Sequence, residues 1–99
     1  MILTTLKQVQ EKYPTAQFVG EYFYIDDTAT IEEGAIICEG VDIRKGATVK
    51  SLAIIDSHSV VRKYDTVPEG AFVHGCYGQK YKNYKAYKEE LQAIRALPY

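Results

Sequence analysis

Two cysteines in 99 residues are too few for a disulfide scaffold, and no long apolar run is present to act as a membrane span or a signal peptide. Both absences point the same way: a cytoplasmic chain with free thiols is expected. There is also no room for a second core, so residues 1–99 are read as one domain. Net charge is −1, and no nucleic-acid polymer is expected as a partner. The charge is nevertheless lopsided. Residues 1–43 hold two lysines against eight carboxylates, a net of −6, and residues 44–99 hold ten cations against five carboxylates, a net of +5. Such asymmetry steers an anionic partner, or simply gives a solvated surface with charges placed for pairing.

What the chain has is a six-residue beat: Ile25, Ile31, Ile37, Ile43, Val49, Ile55, Val61, Val67 and Val73. All are aliphatic and β-branched. Four residues after each come Ala29, Ala35, Val41, Ala47, Ala53, Ser59, Asp65, Ala71 and Tyr77, so a second, mostly small position keeps time with the first. A short fixed period predicts a solenoid in which each straight rung points one branched side chain inward. Gly34, Gly40, Gly46 and Gly70 fall three residues after the branched position, where a corner requires positive φ. Leu52, His58 and Tyr64 occupy three successive corners of the same kind without being glycine, so they either avoid positive φ or tolerate strain, and three in one coil predict a contact at that level, a second subunit being the simplest. Asp65 breaks the small column and predicts either burial against a Tyr or Lys or a local distortion.

The flanks depart from the beat. Ile2, Leu6, Val9 and Tyr13 recur at helical spacing, predicting a helix over residues 3–13 that plugs the open end, followed by a first strand in 18–24. After Gly78, Tyr81, Tyr84, Tyr87, Leu91, Ile94 and Leu97 step by three or four, predicting a helix of about 17 residues that Pro98 ends. The expected layout is therefore 1–24 cap, 25–78 repeat and 79–99 C-terminal amphipathic helix.

Residues 18 apart should stack in adjacent coils, roughly 4.8 Å apart. One column reads Asp26, Arg44, Arg62 and its neighbour Asp27, Lys45, Lys63, which gathers four cations at one edge in a form suited to phosphate or carboxylate. Tyr81 and Tyr84, on the Tyr-Lys helix of a neighbouring subunit, are candidates to stack on a base; packing is the plainer reading of the same stripe. Other columns read Cys38, Asp56, His74 and Gly40, His58, Cys76. They offer a general base at His58 or His74, or a metal site drawing on His58, His74 and Glu69, against the plainer reading of ordinary surface residues. Cys38 and Cys76 lie two coils apart, roughly 10 Å, too far for a disulfide within one chain.

Residues 25–78 resemble the hexapeptide-repeat, left-handed β-helix proteins. Val67-Pro68-Glu69-Gly70-Ala71-Phe72-Val73-His74-Gly75 is similar to the segment that closes the helix in hexapeptide acyltransferases, and His74-Gly75-Cys76 to a His-Gly-Cys run in the γ-class carbonic anhydrases. The resemblance implies a mainly β fold, a left-handed parallel β-helix of about three coils, assembled as a homotrimer with ligands between subunits. Nothing interrupts the nine hexads, so the loop that holds acceptor and coenzyme A in the acyltransferases has no counterpart. Glu69 stands where the anhydrases have a second histidine. The expected function is thus binding of an anionic small molecule, a nucleotide or nucleotide-derived signal, at subunit interfaces without turnover, with no cofactor. The alternatives the resemblance implies are a minimal acyltransferase using acyl-coenzyme A and a zinc lyase. Self-association and the anion are the expected partners, with no membrane and no nucleic-acid polymer.

Overall fold

The computed structural model describes residues 1–95. It is a parallel β-solenoid of about three turns, built from short strands separated by corners. In chain order the elements are β1 (Ile2–Thr5), α1 (Leu6–Lys12), β2 (Gln17–Val19), β3 (Tyr22–Asp26), β4 (Thr30–Ile31), β5 (Ile36–Cys38) and β6 (Asp42–Ile43). They continue with β7 (Thr48–Val49), β8 (Ile54–Ile55), β9 (Val60–Val61), β10 (Thr66–Val67), β11 (Phe72–His74), β12 (Gln79–Tyr81) and α2 (Tyr84–Arg95). Three faces result: β1-β3-β6-β9 is the first, β4-β7-β10 the second, and β2-β5-β8-β11-β12 the third.

The register is the 18-residue repeat made physical. Ile25 pairs with Ile43 and Ile43 with Val61 on the first face, Ile31 with Val49 and Val49 with Val67 on the second, and Ile37 with Ile55 and Ile55 with Val73 on the third. All nine branched residues are buried, and so are the small residues beside them from Ala29 to Ala71 except Asp65. Each buried branched side chain contributes about 1.5–3 kcal/mol of transfer free energy. The small column ends there, because Tyr77 is 80% exposed. Among the described residues Ser59 is the one fully buried polar residue, and its hydroxyl is used: Oγ accepts from the Gly75 amide at 3.0 Å.

The corners explain the glycines and their replacements together. Gly34, Gly40 and Gly46 have φ between 70° and 79°, and Leu52, His58 and Tyr64, one coil later, have φ of 63°, 59° and 60°. Each large residue therefore accepts the left-handed conformation that costs a side chain about 1–2 kcal/mol. In return it lies over the glycine below. A Cβ on Gly34 would come within 2.9 Å of Leu52 Cδ2, and one on Gly40 or Gly46 would collide with the His58 or Tyr64 ring. Within the chain, each of these residues meets the glycine one coil below.

Both flanks differ from expectation. Residues 2–5 are a strand, antiparallel to β3, and the helix begins only at Leu6. Thr5 caps that helix: its Oγ1 accepts from the Gln8 amide at 3.2 Å while Gln8 Oε1 accepts from the Thr5 amide at 3.2 Å. The plug itself is as expected, with Val9 fully buried and the Tyr13 hydroxyl donating to the Ala29 carbonyl at 2.7 Å. At the other end, residues 79–81 are not helix but β12, which folds back antiparallel on β11. Asn83 then caps α2, its Oδ1 accepting from the Ala86 amide at 2.9 Å. Leu97 and Pro98, the expected end of that helix, lie outside the described residues.

Candidate anion-binding edge

The edge between the first and second faces carries residues 26–29, 44–47 and 62–65, one set per coil. Backbone bonds across the coils fix its register: Arg44 N donates to Val61 O at 3.0 Å and Tyr64 N to Lys45 O at 2.9 Å. Arg44 thus lies one coil from Arg62 and Lys45 one coil from Lys63. All four side chains are exposed. Arg44 spends its Nε on Asp42, within its own strand and turn, at 3.2 Å. Among the described residues, Lys45, Arg62 and Lys63 form no ion pair.

The two acids below them are engaged elsewhere. Asp26 accepts from the Thr28 hydroxyl at 2.6 Å and from the Thr28 amide at 2.9 Å, and these bonds hold its carboxyl below the usual carboxylate range; Lys45 adds only a minor pull. Asp27 lies 3.4 Å from the Met1 amino group. Among the described residues, neither carboxylate forms an ion pair with the basic columns. The upper two coils of the edge keep unneutralised positive charge.

Tyr64, which the sequence marks as an unusual corner and not as a ligand-binding candidate, shares this edge. It is 64% exposed, sits between the Arg62-Lys63 pair and Asp65, and offers a flat ring with the Lys63 ammonium 5.3 Å from its centroid. The clue was its place in the repeat, directly after the basic pair. Tyr81 and Tyr84 are placed differently. Tyr84 packs edge-on against Phe72 at 5.0 Å, Tyr81 against Tyr87 at 5.1 Å, and Tyr87 against Phe72 at 4.7 Å, all at the upper end of the third face. Within one chain they serve packing, and they do not meet the basic edge. Desolvation, then Glu90 and Tyr87, raise the Tyr81 phenol above its ordinary range.

The histidines are also separated. His58 lies on the edge between the third and first faces, exposed, with its ring 6.1 Å from Tyr22. His74 ends β11, where Nδ1 is 2.8 Å from Asp56 Oδ2 and the ring lies parallel to Phe72 at 6.4 Å and tilted against Tyr87 at 4.9 Å. Glu69 sits at the remaining edge, exposed beside Gly70. Among the described residues no three His, Cys, Asp or Glu side chains converge as a metal site, and the trio His58, His74 and Glu69 does not meet within one chain. Cys38 and Cys76 are both free thiols, and burial, with Asp56 second, pushes the Cys38 thiol up. Protein-family models, curated proteins and solved structures were all compared with this chain, and none matches it.

Proposed function

We propose that this chain is a self-associating hexapeptide-repeat β-helix that binds an anionic small molecule, a nucleotide or nucleotide-derived signal, without transforming it. The observation that carries this reading is the stack of four exposed cations at one edge, three of them unpaired, beside an open tyrosine ring. Two guanidinium groups one coil apart suit two oxygens of one phosphate, and the lysines extend the field. The Tyr64 ring supplies a surface on which a base stacks. No enclosed pocket exists among the described residues, so the ligand would lie against the edge and be closed in by a neighbouring subunit.

Calorimetry against mono-, di- and cyclic nucleotides and coenzyme A tests it. Arg62→Ala should weaken binding by about 1.5–3 kcal/mol if Arg62 makes a charged hydrogen bond, and added salt should weaken it further. Binding that survives loss of both Arg44 and Arg62 overturns the assignment.

A second reading, a minimal acyltransferase, is favoured by one specific contact. Asp56 accepts from His74 Nδ1 and thereby fixes the tautomer with its lone pair on Nε2, the arrangement of a general base. His74 would take the proton from an amine or hydroxyl as it attacks the thioester of acyl-coenzyme A, and return it to the departing thiolate. His58 has no such orienting carboxylate among its contacts. Release of free thiol from acyl-coenzyme A, lost in His74→Ala, would put this reading first.

A further inference from the structure

The three faces of the solenoid present very different outer columns. The outward positions are Thr30, Thr48 and Thr66 on the second face, Tyr24, Asp42 and Val60 on the first, and Ile36, Ile54 and Phe72 on the third. Outward residues alternate with the buried ones, so one outer column of the third face is apolar from Ile36 through Ile54 to Phe72, with Gln17 below it and the row Val19, Cys38, Asp56 and His74 beside it. Phe72, at the top of that column, is covered by Tyr84 and Tyr87 from the first turn of the chain's own α2. Lower down, Ile36 and Ile54 are only partly buried, Val19 in the neighbouring outer row is 56% exposed, and Leu52, 61% exposed, borders them from the edge.

α2 cannot cover this lower strip itself. It is anchored at the upper end, and beyond Tyr87 its apolar face is incompletely covered: Leu91 is partly buried and Ile94 49% exposed. The molecule is 47 Å long and 22 × 21 Å across, as expected for a helix that runs on past the solenoid instead of folding back down its face. A strip without a cover and a helix face without a seat therefore coexist in one chain.

We propose that the Ile36-Ile54 strip of one copy seats the Leu91-Ile94 face of α2 from a second copy. The strip continues the column on which α2 already packs through Phe72, so the seat repeats chemistry the helix is suited to. Charge supports the same pairing. The coil at the open end of the strip is flanked by Glu33 and Glu39, in the half of the chain with net charge −6, while residues 79–95 carry five cations against two carboxylates, with Lys85 and Lys88 exposed on α2. Because strip and helix are different surfaces, the contact closes either reciprocally in a two-fold dimer or head to tail as a ring. It names the contact behind the self-association in the preceding reading, but it is measured without any anion, so assembly and anion binding fail separately.

The test is sedimentation velocity over a concentration series, combined with maleimide labelling of the two thiols resolved by mass spectrometry. Wild type should associate. Cys38, in the outer row beside the strip, should label several-fold more slowly in the assembly than after dilution, while exposed Cys76 labels at one rate throughout. Ile94→Glu and Ile54→Lys should each give a monomer with unchanged circular dichroism, and Ile94→Glu alone keeps the test decisive if Ile54→Lys impairs folding. Mixing the two variants should restore a 1:1 complex, since one intact strip then meets one intact helix. A wild-type monomer at all concentrations overturns the proposal. So does association that survives Ile94→Glu, or a mixture of two folded variants that stays monomeric.

Discussion

At the N-terminal end of the solenoid Val9 is wholly buried and Tyr13 reaches in to donate to the Ala29 carbonyl, whereas at the C-terminal end the inward positions are filled by Asp65 and Lys80. Lys80 is in register with inward-facing Val73 from the coil below, so its side chain extends over the open top of the prism and pairs with the Asp65 carboxylate there. One end is sealed by an apolar plug and the other by a partly exposed ion pair. The difference follows from what each end must do. The plug adds core to a narrow prism that has little of its own. The ion pair puts inward-pointing charge where β9 and β10 end their sheets unpaired among the described residues, and such charge blunts edge-to-edge growth.

The comparison breaks first at the plug. Val9→Asp would bury an unpaired carboxylate against Leu3 and Tyr13 and should cost about 4 kcal/mol or more, enough to remove cooperative unfolding in a chain this small. A wild-type melting temperature in that variant would mean the helix is an ornament and the first coil is stable without it.

The next test compares plug with corner. Gly40→Ala keeps the core intact but puts a Cβ into the left-handed region and against the His58 ring, and should cost about 1–3 kcal/mol. In the His58→Gly background the collision disappears and only the backbone strain remains, so the penalty should shrink. Equal penalties in both backgrounds would show that the ring does not lie on the glycine. This coupling of a glycine to the large residue 18 positions later was half legible in the sequence. The columns could be written down directly, and Leu52, His58 and Tyr64 stood out as anomalous corners. Their partner could not be read, because a positive φ turns a side chain along the edge toward the preceding coil, and spacing alone does not say which way a corner residue leans.

The same limit explains the flanks. The inward column was plain because β-branched residues repeat without exception over nine rungs. Ile2 and Leu6 happen to match helical spacing with Val9 and Tyr13, which hid β1; the signal that marks the true helix start is the Thr5-x-x-Gln8 capping box. β12 was hidden by the tyrosine stripe, although Gly75 and Gly78, both at positive φ, frame a turn between β11 and β12, and Asn83 marks the cap of α2. At the candidate edge, the one-coil offset of Arg44 from Arg62 and of Lys45 from Lys63 followed from the period. That Asp26 is occupied by Thr28, and Asp27 by the amino group, did not follow, because those are bonds within a turn and across a strand pair.

A smaller effect sharpens the apolar end. Tyr13→Phe leaves the Ala29 carbonyl without its donor and should cost about 1 kcal/mol near neutral pH. The phenol is pushed up to about 12, first by burial and then by Asp27 and Asp26, so the folded state favours its neutral form. The sign follows: this contribution to stability is complete below the ordinary phenol value of 10.0 and is lost as pH rises from there toward about 12. Urea midpoints for wild type and Tyr13→Phe should converge over that interval. A constant gap would place the Tyr13 hydroxyl in water.

The charged end should respond least in stability and most in solution behaviour. Lys80→Ala removes one member of a pair that is about one-third exposed, and screening leaves such pairs worth about 0–1 kcal/mol, so the melting temperature should hardly move. Replacing both Asp65 and Lys80 with valine extends the apolar column to the open top and should be neutral or slightly stabilising in a monomer. It also uncovers β9 and β10 to a second prism. In an Ile94→Glu background, where the helix-on-strip contact is absent, the double-valine variant should therefore associate end to end while the parent stays monomeric, and the sedimentation coefficient should climb with concentration. If the variant stays monomeric and equally stable, the pair is a local packing detail. In that case the end is protected by β12 and α2 alone, and the contrast between a plug that supplies core and a charge pair that limits growth does not hold.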